Sequence, residues 1–388
     1  MTLHSERLGA LARLFLRLGA IGFGGPQAHI AMASDEVVER RRWLSADEFG
    51  DGLAVCEMLP GPASTQMGIY IGYAYGGWPG ALVAGLCFIA PAFCIVVALS
   101  WIYFQFQQLP QLVALFFGLS PVMVAIVVGF CYRLGRKSLV DWRTSAIAIL
   151  VFCLSALTSV STLAIFIAAG VVGLICYGPR GMGVQNLVPV GLLAAATPGG
   201  WGQDRMAEYG WPLFLFFLKV GAFIFGGGLV IIPLLEFELV ERLGWLTTAD
   251  FINGVAIGQL SPGPVVLTAA FVGFKMAGLL GALTATVGIF TPSFLFIMLA
   301  APLLLKLRQN DWVKAFLKGI RPAVVGAIAA ATLPLGRSAL GQPTLLLSLT
   351  AAALGILSLA AIVQLRVAAW KPMVVGALVG LVAYPLLG

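Results

Sequence analysis

The sequence predicts an all-α, polytopic membrane protein made of two inverted-topology repeats. Each repeat has about five crossing helices plus a re-entrant helical hairpin turned by Pro-Gly-Pro. Three observations carry this expectation: an extreme apolar composition, a chain that is written twice, and opposite charge bias in matched loops. Of the 388 residues, 60% are hydrophobic and only 10% charged, and the mean hydropathy is +0.99. Soluble domains average about 25% charged residues, so the bilayer is the solvent that this composition fits. Apolar runs such as 81–103, 112–130 and 279–299 each approach the roughly 20 residues that cross a hydrocarbon core.

Self-similarity sets the organisation. Residues 15–25 read FLRLGAIGFGG and 217–227 read FLKVGAFIFGG; VVERRRWLSADEF at 37–49 faces LVERLGWLTTADF at 239–251. Trp43 and Trp245 are 202 positions apart, as are Pro60 and Pro262. One deletion later the offset is 201, and Pro91 still pairs with Pro292 and Pro121 with Pro322. The expected units are therefore 1–178 and 212–388, with 179–211 as a Gly- and Pro-containing linker whose apolar patch, 187–196, is too short to span.

Loop charge gives the relative orientation. QFQQLPQ at 105–111 is uncharged, whereas its counterpart KLRQNDWVKAFLKGIR at 306–321 is basic. One segment later the bias reverses, with RLGRKSLVDWR at 133–143 against a lone Arg337. By the positive-inside rule, matched loops then lie on opposite sides and the repeats are inverted. Five crossings place the amino terminus outside if 133–143 is cytoplasmic, despite Arg7, Arg13 and Arg17, which an interfacial amphipathic helix would accommodate.

Within each repeat the elements follow in order. The first apolar segment ends at a glycine break, GFGGPQAH at 22–29 and IFGGGL at 224–229. Glycines there admit close backbone approach, and a helix restarting after the break aims free N–H groups at a ligand. Such an arrangement suits an oxyanion; close helix packing by small residues is the competing reading. The acidic-basic connectors carry Trp43 and Trp245, expected at headgroup level. Next come 51–75 and 253–276, each holding Pro-Gly-Pro, which breaks a helix at membrane depth and is tolerated where the backbone lines a polar cavity. A Pro-kinked crossing helix is the alternative.

Candidate substrate-binding residues collect at these breaks: Gly24, Gly25, Pro26 and Gln27, then Pro60, Gly61, Pro62, Thr65 and Gln66 in the first half. The second half offers Gly226, Gly227, Gly228, Ser261, Pro262, Gly263 and Pro264, with Thr268 as a further neutral donor. Arg17 and Lys219 are repeat partners just before the breaks and either serve the anion or snorkel. Glu57 and His29 are the proton-coupling candidates. The net charge of +7 is read as positive-inside loops, with no nucleic-acid partner. None of the six cysteines forms a CxxC pair and only His4 and His29 are present, so no metal and no cofactor is expected. Arg7, Arg13 and Arg17 interleave with leucines, which does not read as a cleavable signal peptide. Walker, GxSxG and HExxH motifs are absent from the sequence, which argues against an enzyme. An ion gradient, the membrane potential or a partner must then drive transport.

FGGPQAHIAM (23–32), VVERRRWLS (37–45), MLPGPASTQMGIYIGYAYGG (58–77) and the degenerate FGGGLVIIPLLEFELVERLGWLT (225–247) with LSPGP (260–264) together resemble the chromate ion transporter (CHR) superfamily in its long, two-domain form. The resemblance covers essentially the whole chain and implies chromate efflux and resistance in a bacterial inner membrane, with sulfate as a related oxyanion. It carries functional residues to Gly24, Gly25, Pro26, Pro60, Gly61 and Pro62, while GGP has become GGG in the second half. The expected partners are a chromate- or sulfate-like oxyanion and the lipid bilayer, with a homodimer left open. Alternatives are a sulfate or other oxyanion carrier, or an anion channel.

Overall fold

Local breaks in an otherwise helical chain shape the fold: the first helix stops at Ile21, directly before Gly22. The computed structural model describes residues 2–23, 25–158, 160–178, 204–224, 228–307 and 311–387. It is helical, with no strand among the described residues. In the first half the elements are α1 (Thr2–Ile21), α2 (Pro26–Ser34), α3 (Ala46–Met58), α4 (Ala63–Phe106), α5 (Pro110–Ser138), α6 (Trp142–Leu157) and α7 (Thr162–Tyr177). The second half follows the same order: α8 (Asp204–Ala222), α9 (Ile231–Glu236), α10 (Thr248–Leu260), α11 (Thr268–Leu307), α12 (Asp311–Leu340), α13 (Leu345–Val363) and α14 (Trp370–Leu387). Most of linker 179–211, namely 179–203, lies outside the described residues, as does 308–310 in the second basic loop.

Among the described residues, six helical stretches are long and apolar enough to cross a membrane: Ala63–Phe106, Pro110–Ser138, Val265–Leu299, Lys314–Leu340, Leu345–Val363 and Trp370–Leu387. The chain is thus a multi-pass membrane protein. α6 and α7 are apolar but shorter, at 16 residues each.

Sequence signals explain where helices start. Ser45 caps α3 and exchanges hydrogen bonds with Glu48, and Thr247 does the same for α10 with Asp250. These reciprocal boxes satisfy donors that a helix start leaves free. Pro110 occupies the first turn of α5, where its missing N–H costs nothing. Short π-helical turns, Asp35–Arg40 and Phe237–Arg242, follow α2 and α9.

The longest helices are each two helices joined by a sharp bend. In α4 the backbone breaks at Gly77 (φ 63°, ψ −154°), and in α11 at Ala277 and Gly278 (φ 61°, ψ −149° at the glycine). That left-handed region favours glycine. Beyond each bend the chain folds back on itself: Gly72 meets the Gly80 carbonyl, and Gly273 meets Gly281. Ahead of it, α3 packs beside 63–76, where Gly52 lies under the Tyr70 ring and Tyr70 Oη donates to Glu48 O (3.2 Å). In the second half Gly254 faces the Phe271 ring and Gly258 faces Thr268 Oγ1. These partners are nearly equidistant from Gly61 or Gly263, so each Pro-Gly-Pro sits at the end of a helix pair.

The halves interlock. α5 packs on α13 and α14, α12 packs on α6 and α7, and α4 crosses α11. Small residues permit these approaches: Gly118 meets Gly376 and Gly380, and Gly319 meets Ala169 and Gly173. Between apolar helices in lipid, such van der Waals contact supplies the adhesion that water expulsion supplies elsewhere.

The two connector tryptophans part company. Trp43 stacks on Tyr75 with ring centroids 4.3 Å apart, and Arg41 and Arg7 cover the outer faces at 5.1 and 5.4 Å. Trp245 is instead buried, edge-on to Tyr209 and Phe216. Arg41 and Arg7 correspond to Leu243 and Tyr209, so the second copy lacks the cations that hold its ring at a polar surface.

Candidate functional site

The Pro-Gly-Pro turns occupy the place where the halves meet. Gly61 donates its N–H to Ile224 O (2.6 Å), the carbonyl just before the second-half glycine break. Across the same contact lies Ser293 of α11: a Cβ added to Gly61 would fall 2.6 Å from Ser293 Oγ and 2.5 Å from Gln66 Nε2. Gly61 itself has φ 131°, a conformation that L-residues rarely adopt. Gln66 reaches back to donate through Nε2 to Pro60 O (2.6 Å), which fixes the turn from inside.

The second turn makes the reciprocal contact. Gly263 abuts the Ala92 methyl of α4, and Ala92 follows Pro91 as Ser293 follows Pro292. His29, buried on α2, places Nε2 against Gly22 O and 2.8 Å from Pro262 O. The imidazole therefore ties the first glycine break to the second Pro-Gly-Pro, edge-on to Phe88 at 5.2 Å. Gly228 in turn lies against Val265, one residue past its own half's turn.

The two tips differ chemically. After Pro62 comes Ala63-Ser64-Thr65-Gln66, whereas after Pro264 comes Val265-Val266-Leu267-Thr268. The first helix starts at Pro62 with no side-chain cap, so its leading amides have no acceptor within the helix. The second starts with a tight 3-10 turn, Val265–Leu267, and Thr268 Oγ1 donates to Val265 O (2.9 Å). Ser261 is likewise engaged, donating to Gly258 O (2.8 Å).

Seven buried side-chain polar atoms among the described residues lack a hydrogen-bond partner: His29 Nδ1, Ser64 Oγ, Thr65 Oγ1, Gln66 Oε1, Ser155 Oγ, Gln259 Nε2 and Ser293 Oγ. All except Ser155 lie on a Pro-Gly-Pro segment, end the helix before one, or touch one. An unmet buried donor or acceptor costs about 1–3 kcal/mol. Such groups are ordinarily paired, so a cluster of them marks a place for a polar guest.

Arg17 and Lys219 point elsewhere. Arg17 pairs with Glu36 at 3.6 Å, beside Arg40 (3.2 Å) and Arg41 (3.1 Å). Lys219 pairs with Glu238 at 3.7 Å, which also takes Arg242 at 3.0 Å. Glu36 and Glu238 are buried, while their cations are more than a third exposed. The Arg41 hydrogen bond, helped by the surrounding cations, holds the Glu36 carboxyl below its ordinary range. Each carboxylate thus anchors a basic residue of the first helix to the π-helical turn.

Of the other sequence candidates, Gly25 has φ 79° and sits at the start of α2, with Pro26 in its first turn. Gln27 and Glu57 are exposed. Gly24, Gly226 and Gly227 lie outside the described residues. An open groove of about 540 Å³ between α5 and α12 contains none of the candidates.

Sequence reasoning missed Ser64, Gln259, Ser293, Glu36 and Glu238 as site or anchoring groups. Ser293 was signalled by its place after a repeat-matched proline where the other copy has Ala92. The two glutamates were signalled by sitting at the same offset as Arg17 and Lys219. Chemically, the first tip combines hydroxyls, an amide and uncapped helix N–H groups with no carboxylate among the unmet groups. That set has the chemistry to hold a compact anion by hydrogen bonds and the positive helix end.

The family described as "Chromate transporter" matches residues 9–174 and again 211–383. The "Chromate transport protein" of Cupriavidus metallidurans is 36% identical over 394 residues, which cover 100% of this chain and 96% of that protein. The "Probable chromate transport protein" of Synechococcus elongatus is 35% identical over 357 residues, 89% of this chain and 88% of its own. A "Chromate transport protein" of Pseudomonas aeruginosa is 34% identical over 333 residues, 83% and 80% of the two chains. No solved structure matches.

Proposed function

The chain belongs to the chromate transporter family, and on that premise we propose that it exports chromate through a mid-membrane site dominated by the first Pro-Gly-Pro tip. The observation that carries the site is that unmet buried polar atoms gather along the Pro-Gly-Pro segments: Ser64, Thr65 and Gln66 just past the first tip, Ser293 against it, and Gln259 three residues before Pro262. A tetrahedral dianion takes donors from hydroxyls, from the Gln259 amide and from the uncapped amides of 63–65. Gln66 Oε1 is an acceptor and suits a water bridging to the anion. Neutral donors hold the ion firmly enough to select it without the deep trap that a buried arginine pair would create.

The architecture we propose is two inverted repeats, 1–178 and 212–388. Each has five crossings (the helices ending at Ile21 or Ala222, the arm after the glycine bend, and the three helices that follow) and one re-entrant hairpin. Within each half one contact recurs, Gly19 against Phe88 O and Gly221 against Ile289 O, and across the halves reciprocal contacts support the proposal, Gly61 against Ser293 answering Gly263 against Ala92. Such exchange of halves is what a two-fold axis produces, and an odd number of crossings lays that axis in the membrane plane. Alternating access then amounts to one half rocking on the other about the tips. The site is complete within one chain, so the proposal calls for no dimer. The bacterial relatives support placement in an inner membrane.

Counterflow in proteoliposomes, with labelled chromate against internal chromate or sulfate at controlled pH and voltage, tests the reading. Trans-stimulated, saturable chromate exchange is expected. Flux without exchange would make the chain a channel, and exchange of sulfate with exclusion of chromate would make it a sulfate carrier.

A further inference from the structure

Six hydroxyls within the long helices share one arrangement. Ser100, Ser120, Thr284, Thr286, Thr291 and Thr350 all donate to the carbonyl four residues back, at 2.6–2.9 Å. This back-bonding is the default for Ser and Thr inside a helix, because the acceptor is always at hand. Ser293 departs from it. It lies within α11, fully buried, yet its Oγ has no partner. Instead Oγ faces Gly61 of the opposite half, next to Gln66.

We infer that Ser293 is the second half's hydroxyl donor to the transported oxyanion, an inference that rests on the site proposed above. Its position explains why the first tip needs glycine: a methyl on Gly61 would come 2.6 Å from Ser293 Oγ and close the space between them. The matched contact at the second tip ends in the Ala92 methyl against Gly263, and Val266 and Leu267 stand there at the positions of Ser64 and Thr65. One tip is therefore completed by a donor and the other by hydrocarbon. The anion bridges the halves at the first tip, through Ser64 and Thr65 on one side and Ser293 on the other. A single hydroxyl reads an oxygen of the ion, not its central atom. Ser293 accordingly contributes affinity for any tetrahedral dianion and no discrimination between chromate and sulfate.

The test measures chromate KM and sulfate Ki in proteoliposomes for Ser293→Ala, Ser293→Thr, Thr286→Val and Gly61→Ala, with melting temperatures in detergent. Loss of one hydrogen bond to a charged ligand predicts that Ser293→Ala raises both constants about tenfold or more, in parallel. Ser293→Thr keeps the donor and stays within about threefold of wild type. Thr286→Val removes a back-bonded hydroxyl from the same helix and leaves both constants unchanged. If Ser293→Ala fails to reach the membrane, Ser293→Cys, similar in shape but a weak donor, takes its place. Unchanged constants in Ser293→Ala beside a raised KM in Gly61→Ala would overturn the role of Ser293 and leave the first-tip site standing. Unchanged constants in both would overturn the site as well. A chromate KM that rises while sulfate Ki does not would refute the affinity-only role.

Discussion

Replacing Gly61 by alanine separates a binding tip from a packing tip. The new Cβ meets two obstacles at once. At φ 131° the backbone is in a region nearly reserved for glycine, and holding alanine there costs about 1–3 kcal/mol. The methyl also comes 2.5 Å from Gln66 Nε2 and 2.6 Å from Ser293 Oγ, so both side chains must swing away. Gln66 then loses its 2.6 Å bond to Pro60 O, worth about 0.5–1.5 kcal/mol net. The sum, about 1.5–4.5 kcal/mol, is within what a fold stable by about 5–15 kcal/mol survives. The displaced groups are the ones proposed to face the anion, so affinity suffers along with stability.

Gly263→Ala is the matched comparison. Gly263 is not among the positive-φ glycines, and its added methyl would strike Ala92. That is overpacking, about 1–3 kcal/mol, and it moves none of Ser64, Thr65, Gln66 or Ser293. Both variants should melt earlier than wild type in detergent. Chromate uptake into proteoliposomes, measured against concentration, should show KM raised at least about tenfold for Gly61→Ala. For Gly263→Ala the maximal rate should fall with KM nearly unchanged. Equal KM increases in the two would show that the tips share the anion, and a wild-type KM in Gly61→Ala would refute the reasoning.

Four further outcomes are expected. Arg17→Ala, whose guanidinium is spent on Glu36 at 3.6 Å and is largely exposed, should cost under about 1 kcal/mol of stability and leave chromate KM unchanged in the same uptake assay. Glu238→Ala strands Lys219 and Arg242; because both reach solvent, the melting shift should correspond to about 1–3 kcal/mol, below the 3–5 of a fully buried pair. Glu36 has a depressed carboxyl pKa, so its stabilisation is complete above the unfolded value near 4.5 and is lost as pH falls through the lower folded value. Melting curves of wild type and Glu36→Gln should therefore differ near neutrality and converge as the pH drops below that value. His29→Phe leaves Pro262 O and Gly22 O without their donor and should destabilise by about 1–3 kcal/mol, seen as a lower melting temperature.

Much of the helical layout is readable from local chemistry. Capping boxes at Ser45 and Thr247, glycine before Pro26, and proline at the start of α5 act over a few residues and need no tertiary context. Periodicity also exposes the matched elements, because Pro91 and Pro292 are legible one-dimensionally. The bends at Gly77 and Gly278 are harder to read, since a glycine in an apolar run signals packing as often as a turn. Here each permits two arms to touch backbone to backbone, at Gly72 with Gly80 and Gly273 with Gly281.

The charges resist reading for a different reason. A basic residue beside a glycine break looks like an anion ligand until the position of Glu36, nineteen residues after Arg17, is known in space. The π-helical turn Asp35–Arg40 carries that carboxylate back to the first helix, and no periodicity in the sequence encodes a π turn. With both cations committed to buried glutamates, the proposed site attracts its substrate through dipoles and hydroxyls at the tips. Those groups are present at one tip and replaced by valine and leucine at the other, so on this proposal the two halves share a frame while the chemistry sits on one side. A carrier of this kind can rock symmetrically and still bind asymmetrically. Converting Val266 and Leu267 to Ser and Thr, at the positions matching Ser64 and Thr65, should thus leave chromate affinity governed by the first tip. A tighter KM in that double variant would show that the second tip already faces the ion.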